Sequence, residues 1–156
     1  MKEKNVKICF AASSGGHFEQ ISMLKPMMDK YDSFIVTEKT KYEANICGKK
    51  MYYLYQVNRR EKKCIFLMIA NTFKSVHILL KENPKVIITT GVLATIPICL
   101  IGKLMRKKII YIESFAKITS PTKTGKMMYK FADQFYVQWE SMLKVYPNAI
   151  YVGGIY

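Results

Sequence analysis

Short apolar runs alternate with longer segments of helical periodicity along most of the chain. The runs have the length and the β-branched, aromatic character of strands, and they comprise Val6–Ala12, Ser33–Thr37, Met51–Val57, Val86–Thr90, Lys108–Glu113, Gln134–Gln138 and Ala149–Val152. Apolar positions recur at helical spacing between several of them, in Phe18–Lys30, Glu61–Glu82, Ala94–Arg106, Thr124–Ala132 and Glu140–Val145. This alternation predicts an α/β domain built on a parallel sheet.

Several of the predicted strands are apolar at successive positions. The runs VIIT and IIYI show this pattern, which is typical of strands that helices cover on both faces. The chain has 156 residues, of which half are hydrophobic, so it is large enough for one domain with a substantial core. We therefore expect a single doubly wound domain over residues 1–156.

The longest predicted helix, Glu61–Glu82, carries apolar residues on more than one face. One stripe at helical spacing is expected to dock on the sheet, and it consists of Ile65, Ile69, Phe73, Val76 and Leu80. Phe66 and Leu67 fall outside that stripe and follow a basic cluster, which comprises Arg59, Arg60, Lys62 and Lys63. Apolar side chains flanked by bases are typical of contact with an anionic membrane. Burial against a partner protein or a neighbouring loop is the alternative.

The loop after the first predicted strand reads Ser13-Ser14-Gly15-Gly16-His17 and leads into a helix. The first turn of a helix has unpaired N–H groups that suit an anion. Glycine allows the backbone to approach a ligand closely. These features predict a phosphate- or sugar-binding loop, and a plain turn with Ser14 as the helix cap is the alternative.

Two other strand ends open toward the same crevice. They carry Thr90-Gly91 and Glu113-Ser114. In open parallel sheets ligands bind outside the carboxyl ends of the strands, so these residues and His17 are expected to converge. An ordinary turn at Gly91 and a lysine partner for Glu113 are the alternatives.

The charge of the chain favours anionic partners. Lysine and arginine number 25 against 11 acidic residues, for a net charge of +14. A field of this sign concentrates phosphorylated substrates, acidic lipids or nucleic acid. Nearly all of these bases are lysines, which read nucleic-acid bases less specifically than arginines do, and we expect no nucleic-acid partner.

The cysteines and the apolar runs limit the protein class further. Cys9, Cys47, Cys64 and Cys99 occur singly, without a CxxC pair, so we expect free thiols in a reducing cytoplasm and no metal site. No signal peptide is visible, and the longest apolar run is far shorter than the roughly 20 residues of a membrane span. The sequence thus predicts a soluble or peripheral protein.

Longer motifs relate the chain to a known family. They are the SSGGH loop, the KENP segment before VIITTG, and the segments ESFAK, TGK, FADQFYVQW and YVGG. As a set they resemble the Alg14 family, including bacterial capsular and exopolysaccharide glycosyltransferase subunits of the CpsF, PssD and EpsE type. The likeness extends over nearly the whole chain.

The resemblance implies a fold and an activity. Such proteins are similar to the Rossmann-like N-terminal, acceptor-binding half of a GT-B glycosyltransferase such as MurG. An Alg13-like partner chain supplies the other half and binds most of the UDP-sugar, so neither chain is expected to be active alone. The implied acceptor is a polyprenyl-diphosphate-linked saccharide at the cytoplasmic face of the cell membrane. No cofactor is expected.

The resemblance also implies roles for residues of this sequence. His17 is the expected general base, and Glu113 is expected to orient the acceptor or the histidine. The implied ligands of the acceptor diphosphate or sugar are Ser13, Ser14, Gly15, Gly16, Thr90, Gly91 and Ser114. The expected partner interface comprises Gln138, Trp139, Glu140, Gly153, Gly154, Ile155 and Tyr156, with a core position for Trp139 as the alternative. A non-catalytic scaffold that activates a partner transferase is the alternative function.

Overall fold

A seven-stranded sheet, parallel throughout, runs through the computed structural model, which describes residues 3–41, 46 and 48–156. The strand order is β3-β2-β1-β4-β5-β6-β7. The strands are β1 (Glu3–Ala12), β2 (Tyr31–Glu38), β3 (Lys50–Leu54), β4 (Val86–Gly91), β5 (Lys108–Ile112), β6 (Gln134–Val137) and β7 (Ile150–Tyr151). This architecture confirms the predicted doubly wound parallel sheet.

Helices connect the strands on both faces of the sheet. They are α1 (Gly16–Ser22), α2 (Lys25–Lys30), α3 (Cys64–Glu82), α4 (Ile96–Leu104) and α5 (Lys123–Met128). The single helix predicted over Phe18–Lys30 is in fact two helices, because Pro26 begins a new helix at its first turn. Leu93–Thr95 and Glu140–Lys144 form 3₁₀ turns, so the prediction of an α-helix after β6 is wrong. Cys9, Cys64 and Cys99 are free thiols, whereas Cys47 lies outside the described residues.

The two faces of the sheet are covered unequally. The helices α3, α4 and α5 pack on one face around a core that includes Leu79, Ile98 and Met128. The helices α1 and α2 cover the other face only over its first strands, around Ile21 and Met28. Beyond them an apolar cavity of about 250 Å³ lies over β4, β5 and β6, and its lining includes Ile88, Ile110, Ile112, Tyr136, Val152 and Ile155.

The buried face of helix α3 is opposite to the face that was predicted to be buried. Phe66 and Phe73 are 74% and 71% exposed, and Ile65, Ile69 and Leu80 are also exposed. Four of the five residues of the stripe that was expected to dock on the sheet therefore face outward, Val76 is half-buried, and that prediction is wrong. We call the outward set Ile65, Phe66, Ile69, Phe73 and Leu80 the apolar stripe.

Polar contacts on the inner face fix the rotation of α3. The buried Asn71 amide accepts a hydrogen bond from Tyr55 N–H at 2.8 Å and donates one to Tyr55 O at 2.9 Å. Near the other end of the helix, buried Glu82 accepts from Lys50 Nζ at 2.6 Å and Lys7 Nζ at 3.2 Å. Because an unpaired buried amide or carboxylate is costly, these groups hold the polar face inward.

Candidate active site

His17 lies at the carboxyl edge of the sheet, where β1 and β4 end. Its Nδ1 is 2.7 Å from the carbonyl oxygen of Thr90, and Thr90 Oγ1 donates to His17 O at 2.9 Å. A carbonyl can only accept, so Nδ1 carries the proton and the neutral ring presents an electron pair on Nε2. This pair of contacts fixes both the tautomer and the position of the imidazole.

The surroundings of His17 favour the neutral ring. Burial lowers the pKa of the imidazole below its usual 6.5, although the hydrogen bond to Thr90 and the charges of Glu113 and Glu38 oppose this effect. A neutral imidazole with a free Nε2 is the form that can accept a proton. His17 thus has the protonation state of a general base at neutral pH.

A carboxylate from the neighbouring strand holds the loop before His17. Glu38, at the end of β2, accepts hydrogen bonds from the N–H and Oγ of Ser14, each at 3.2 Å. Gly15 has a φ of 72°, a conformation that favours glycine, and Gly15 and Gly16 are exposed. The structure therefore presents the two glycines to solvent, whereas the polar groups of Ser14 are engaged within the fold.

Glu113 is enclosed by hydrogen-bond donors and is 1% exposed. It accepts from Ser114 N at 2.9 Å, from Thr122 Oγ1 at 2.9 Å and from Tyr146 Oη at 2.8 Å. Burial and the charge of Glu113 raise the pKa of Tyr111, and burial together with the hydrogen bond to Glu113 raises that of Tyr146. Within this chain the carboxylate of Glu113 therefore contacts the loop after β5 and the hydroxyl of Tyr146 rather than open solvent.

The remaining residues predicted to bind the acceptor differ in how far they are exposed at the crevice. Ser13, Thr90 and Gly91 are buried, and Ser14 and Ser114 are half-buried. The side chain of Thr90 is used internally by His17. The structure thus brings the predicted residues to one edge of the sheet, but only Gly15 and Gly16 are exposed.

A cleft of about 420 Å³ opens beside the loop, at the ends of β1, β2 and β4. We call it the arginine cleft, and its polar lining includes Ser13, Gln56, Asn58, Arg59 and Arg60. Arg59 Nη2 donates to Oγ1 of Thr124 at 3.4 Å, so its side chain extends from the segment after β3 to the start of α5. The two arginines, predicted to contact a membrane, therefore lie next to the predicted acceptor loop.

The predicted partner interface is partly internal. Gln138 is buried, donates to Glu113 O at 2.9 Å and accepts from Ile155 N at 3.1 Å, so its side chain holds the C-terminal segment within the fold. Trp139 is half-buried and donates to Phe115 O at 2.7 Å. The other predicted positions are exposed or half-buried, and they are Glu140, Gly153, Gly154, Ile155 and Tyr156.

Sequence reasoning missed Glu38, Thr122 and Tyr146. Glu38 directly follows the predicted strand Ser33–Thr37, at the same edge as Glu113, which is a signal that could have identified it. Thr122 and Tyr146 come from loops whose return to Glu113 no local pattern indicates. Among the residues that the structure describes, no group of three or more His, Cys, Asp or Glu side chains could hold a metal ion.

Solved structures share this fold. MurG of Acinetobacter baumannii matches with a TM-score of 0.72 and 13% identity over 87% of this chain and 42% of that chain. UDP-GlcNAc 2-epimerase of Methanocaldococcus jannaschii matches with a TM-score of 0.70 and 13% identity over 95% of this chain and 45% of that chain. Both are GT-B fold proteins, and this chain spans less than half of each. The chain therefore has the fold of one Rossmann-like half of a GT-B protein.

Several curated relatives carry the same description. The human protein named UDP-N-acetylglucosamine transferase subunit ALG14 is 24% identical over 97% of this chain and 84% of its own length. Its Schizosaccharomyces pombe namesake is 39% identical over 45% of this chain and 36% of its own length. The family model described as "Oligosaccharide biosynthesis protein Alg14 like" matches residues 8–155. The chain belongs to the Alg14-like family of oligosaccharide biosynthesis proteins.

Proposed function

We propose that this chain is the acceptor-binding, membrane-associating subunit of a two-component glycosyltransferase. Its partner is an Alg13-like chain that binds most of the UDP-sugar, and the pair transfers the sugar to a polyprenyl-diphosphate-linked saccharide. Membership of the Alg14-like family and the likeness to one half of MurG support this assignment. Since the curated relatives are named as UDP-N-acetylglucosamine transferase subunits, UDP-N-acetylglucosamine is the first donor to test.

The observation that carries the proposal is the geometry of His17. In the proposed reaction an acceptor hydroxyl attacks the anomeric carbon, the bond from that carbon to the UDP oxygen breaks, and UDP leaves. The hydroxyl proton passes to Nε2 of His17, which is free because Nδ1 donates to Thr90 O. Glu113 and Glu38 hold the loops on either side of the imidazole rather than exchange protons.

The apolar stripe supports contact with the membrane. The helix α3 is long and apolar enough to cross a bilayer by length and composition. Its inner face, however, is tied to β1 and β3 through Lys7 and Lys50, which contact Glu82. The proposed arrangement therefore has α3 lying in the plane of the interface, with the stripe in the lipid and Lys62 and Lys63 near acidic head groups.

The proposed location is the cytoplasmic face of the cell membrane, and the proposed pathway is capsular or exopolysaccharide synthesis. The high content of lysine and the free thiols agree with this location. In that setting the lipid-linked acceptor remains in the bilayer while the partner collects its donor from solution.

The test is a transfer assay with the co-purified pair, UDP-N-acetylglucosamine and a lipid-diphosphate-linked sugar. We expect activity from the pair and none from this chain alone. Replacing His17 with Ala should lower kcat by about 10²- to 10⁴-fold, the usual contribution of a general base. His77, which is exposed on α3, provides the matched control, and His77→Ala should leave kcat unchanged.

Each alternative predicts a different result. Full turnover by a pair that carries His17→Ala would remove the assignment of the base. If the partner alone also transferred sugar, the chain would be a scaffold that recruits and activates a complete enzyme. Transfer by this chain without a partner would contradict the division of the enzyme into two chains.

A further inference from the structure

Arg59 and Arg60 lie side by side in the arginine cleft. The chain has only one other arginine, Arg106, and its remaining bases are lysines. A guanidinium presents a planar fork of donors that matches two phosphate oxygens at once, whereas an ammonium acts as a point charge. The guanidinium groups of Arg59 and Arg60 are thus suited to a ligand with several phosphate oxygens.

Neither guanidinium forms an ion pair with a carboxylate of the described residues. Within the described part of the chain, the Arg59 side chain has one hydrogen bond, to the neutral hydroxyl of Thr124. The carboxylate in the cleft wall is Glu38, and its oxygens already accept from Ser14 and from Val57 N–H at 3.2 Å. The positive charge of the cleft is therefore available to a ligand.

The cleft lies between two features of the proposed acceptor site. Ser13 in its wall begins the loop that carries His17. On the other side the chain continues from Arg60 into α3, where exposed Ile65 and Phe66 begin the apolar stripe. A lipid-linked sugar has the same order of parts, since a diphosphate joins the sugar to the isoprenyl chain.

From this order we infer that the arginine cleft binds the diphosphate of an isoprenyl-diphosphate-linked ligand. The sugar then points toward His17 and the isoprenyl chain toward Phe66. This inference rests on the proposed function and reassigns Arg59 and Arg60 from membrane contact to ligand binding. Lys62 and Lys63 keep their predicted place near the lipid head groups.

Calorimetric titration of the full chain with geranyl diphosphate tests the inference. We expect Arg59→Gln and Arg60→Gln each to weaken binding by about tenfold, the value of one charged hydrogen bond. Arg60→Lys should recover only part of the loss, because it restores the charge but not the fork. Both arginines are exposed, so the fold should survive, and thermal unfolding checks this.

The matched control is Lys62→Gln with Lys63→Gln, which removes the same charge from the adjacent segment and should leave the titration unchanged. Geranyl monophosphate should bind more weakly than the diphosphate. Equal binding by the arginine variants and the wild type would overturn the inference. So would tighter, equally arginine-dependent binding of UDP, since the cleft would then belong to the nucleotide.

Two further measurements complete the test. One distinguishes diphosphate binding from membrane binding, and the other tests the inference separately from the proposed function. Binding to phosphatidylglycerol vesicles should be the same for the arginine variants and the wild type. A loss confined to vesicle binding would assign the arginines to membrane contact and overturn the inference.

Arginine-dependent geranyl diphosphate binding by a chain whose pair transfers no sugar would contradict the proposed function alone. An active pair with an unchanged KM for the acceptor in the arginine variants would contradict the inference alone.

Discussion

His17 combines a fixed tautomer with a lowered pKa, and this combination sets the pH dependence expected if His17 is the proposed general base. A base acts only when deprotonated, so the rate of the pair should rise with pH and level off above the pKa. Because burial lowers that pKa below 6.5, we expect the plateau to begin below neutral pH. Rates measured from about pH 5 to about pH 9 test this.

The second histidine of the chain, His77, provides a control for this pH–rate profile. His77→Ala should keep the rising limb, whereas the residual activity of His17→Ala should lose it. A limb that persists in His17→Ala would assign the titration to another group, and the proposed base would have to be abandoned.

Gly125 lies against the carboxylate that holds the loop after β5. A Cβ built at this position would be 2.0 Å from Glu113 Oε2 and 2.7 Å from Tyr146 Oη. Alanine normally stabilises a helix by about 1 kcal/mol relative to glycine. Here we expect Gly125→Ala to lower the free energy of unfolding by about 2 kcal/mol, because the buried hydrogen bonds of Glu113 must shift.

Urea unfolding of Gly125→Ala and Gly16→Ala makes this comparison. A Cβ at Gly16, in the first turn of α1, meets nothing within 4 Å, so that variant should be as stable as the wild type or slightly more stable. Equal stability of the two variants would show that Glu113 relaxes freely and does not hold the loop.

These residues also mark the limit of prediction from sequence. The strand ends identified Glu113 and His17, because the topology of a parallel sheet brings such positions together. The partners that define their roles, Tyr146 and the Thr90 carbonyl, depend on distant segments and on backbone geometry. Without those partners a buried, fully bonded carboxylate could not be distinguished from one that contacts a substrate.

At the scale of elements, α3 shows why hydrophobic periodicity predicted the helix correctly but not which of its faces is buried. Apolar residues occur on both of its faces, so the larger stripe was assigned to the core. The polar contacts of Asn71 and Glu82 decide the rotation instead, and they require strands β1 and β3 to be placed first. Hydrophobic spacing contains no information on such long-range polar pairs.

Glu82 should therefore control how firmly α3 is attached. Burial raises the pKa of its carboxyl, but hydrogen bonds from Lys50, Tyr52 and Lys7 outweigh this and lower it to about 2, against 4.5 for a free group. The stabilisation is complete above about pH 4.5 and is lost as the pH falls from there toward 2. We expect Glu82→Gln to lower the free energy of unfolding by about 2 kcal/mol at neutral pH.

Urea unfolding at several pH values gives the measurement. The difference between the wild type and Glu82→Gln should shrink as the pH falls below about 4.5. Glu61→Gln, at an exposed glutamate before the same helix, should show no difference at any pH. A gap for Glu82→Gln that did not depend on pH would mean that the loss of a hydrogen-bond acceptor, not the ionisation of the carboxyl, is what matters.

At the scale of the whole molecule, two exposed apolar surfaces of the described residues lie on opposite faces of the sheet. The apolar stripe belongs to the face covered by α3 and α4. Val152, 74% exposed, lines the cavity over β4 to β6 on the other face, next to the predicted partner residues Gly153 and Ile155. This arrangement places the proposed membrane contact and the proposed partner contact on separate surfaces, so that both could form at the same time.

Reciprocal charge substitutions test this division. Phe73→Asp should lower binding to phosphatidylglycerol vesicles by about tenfold or more, since burial of a phenylalanine contributes roughly 2 kcal/mol, and it should leave co-purification with the partner unchanged. Val152→Asp should weaken co-purification and leave vesicle binding unchanged. The two variants add the same charge at similarly exposed positions, so each is the control for the other. If either variant impaired both interactions while its thermal unfolding stayed unchanged, one surface would serve both contacts.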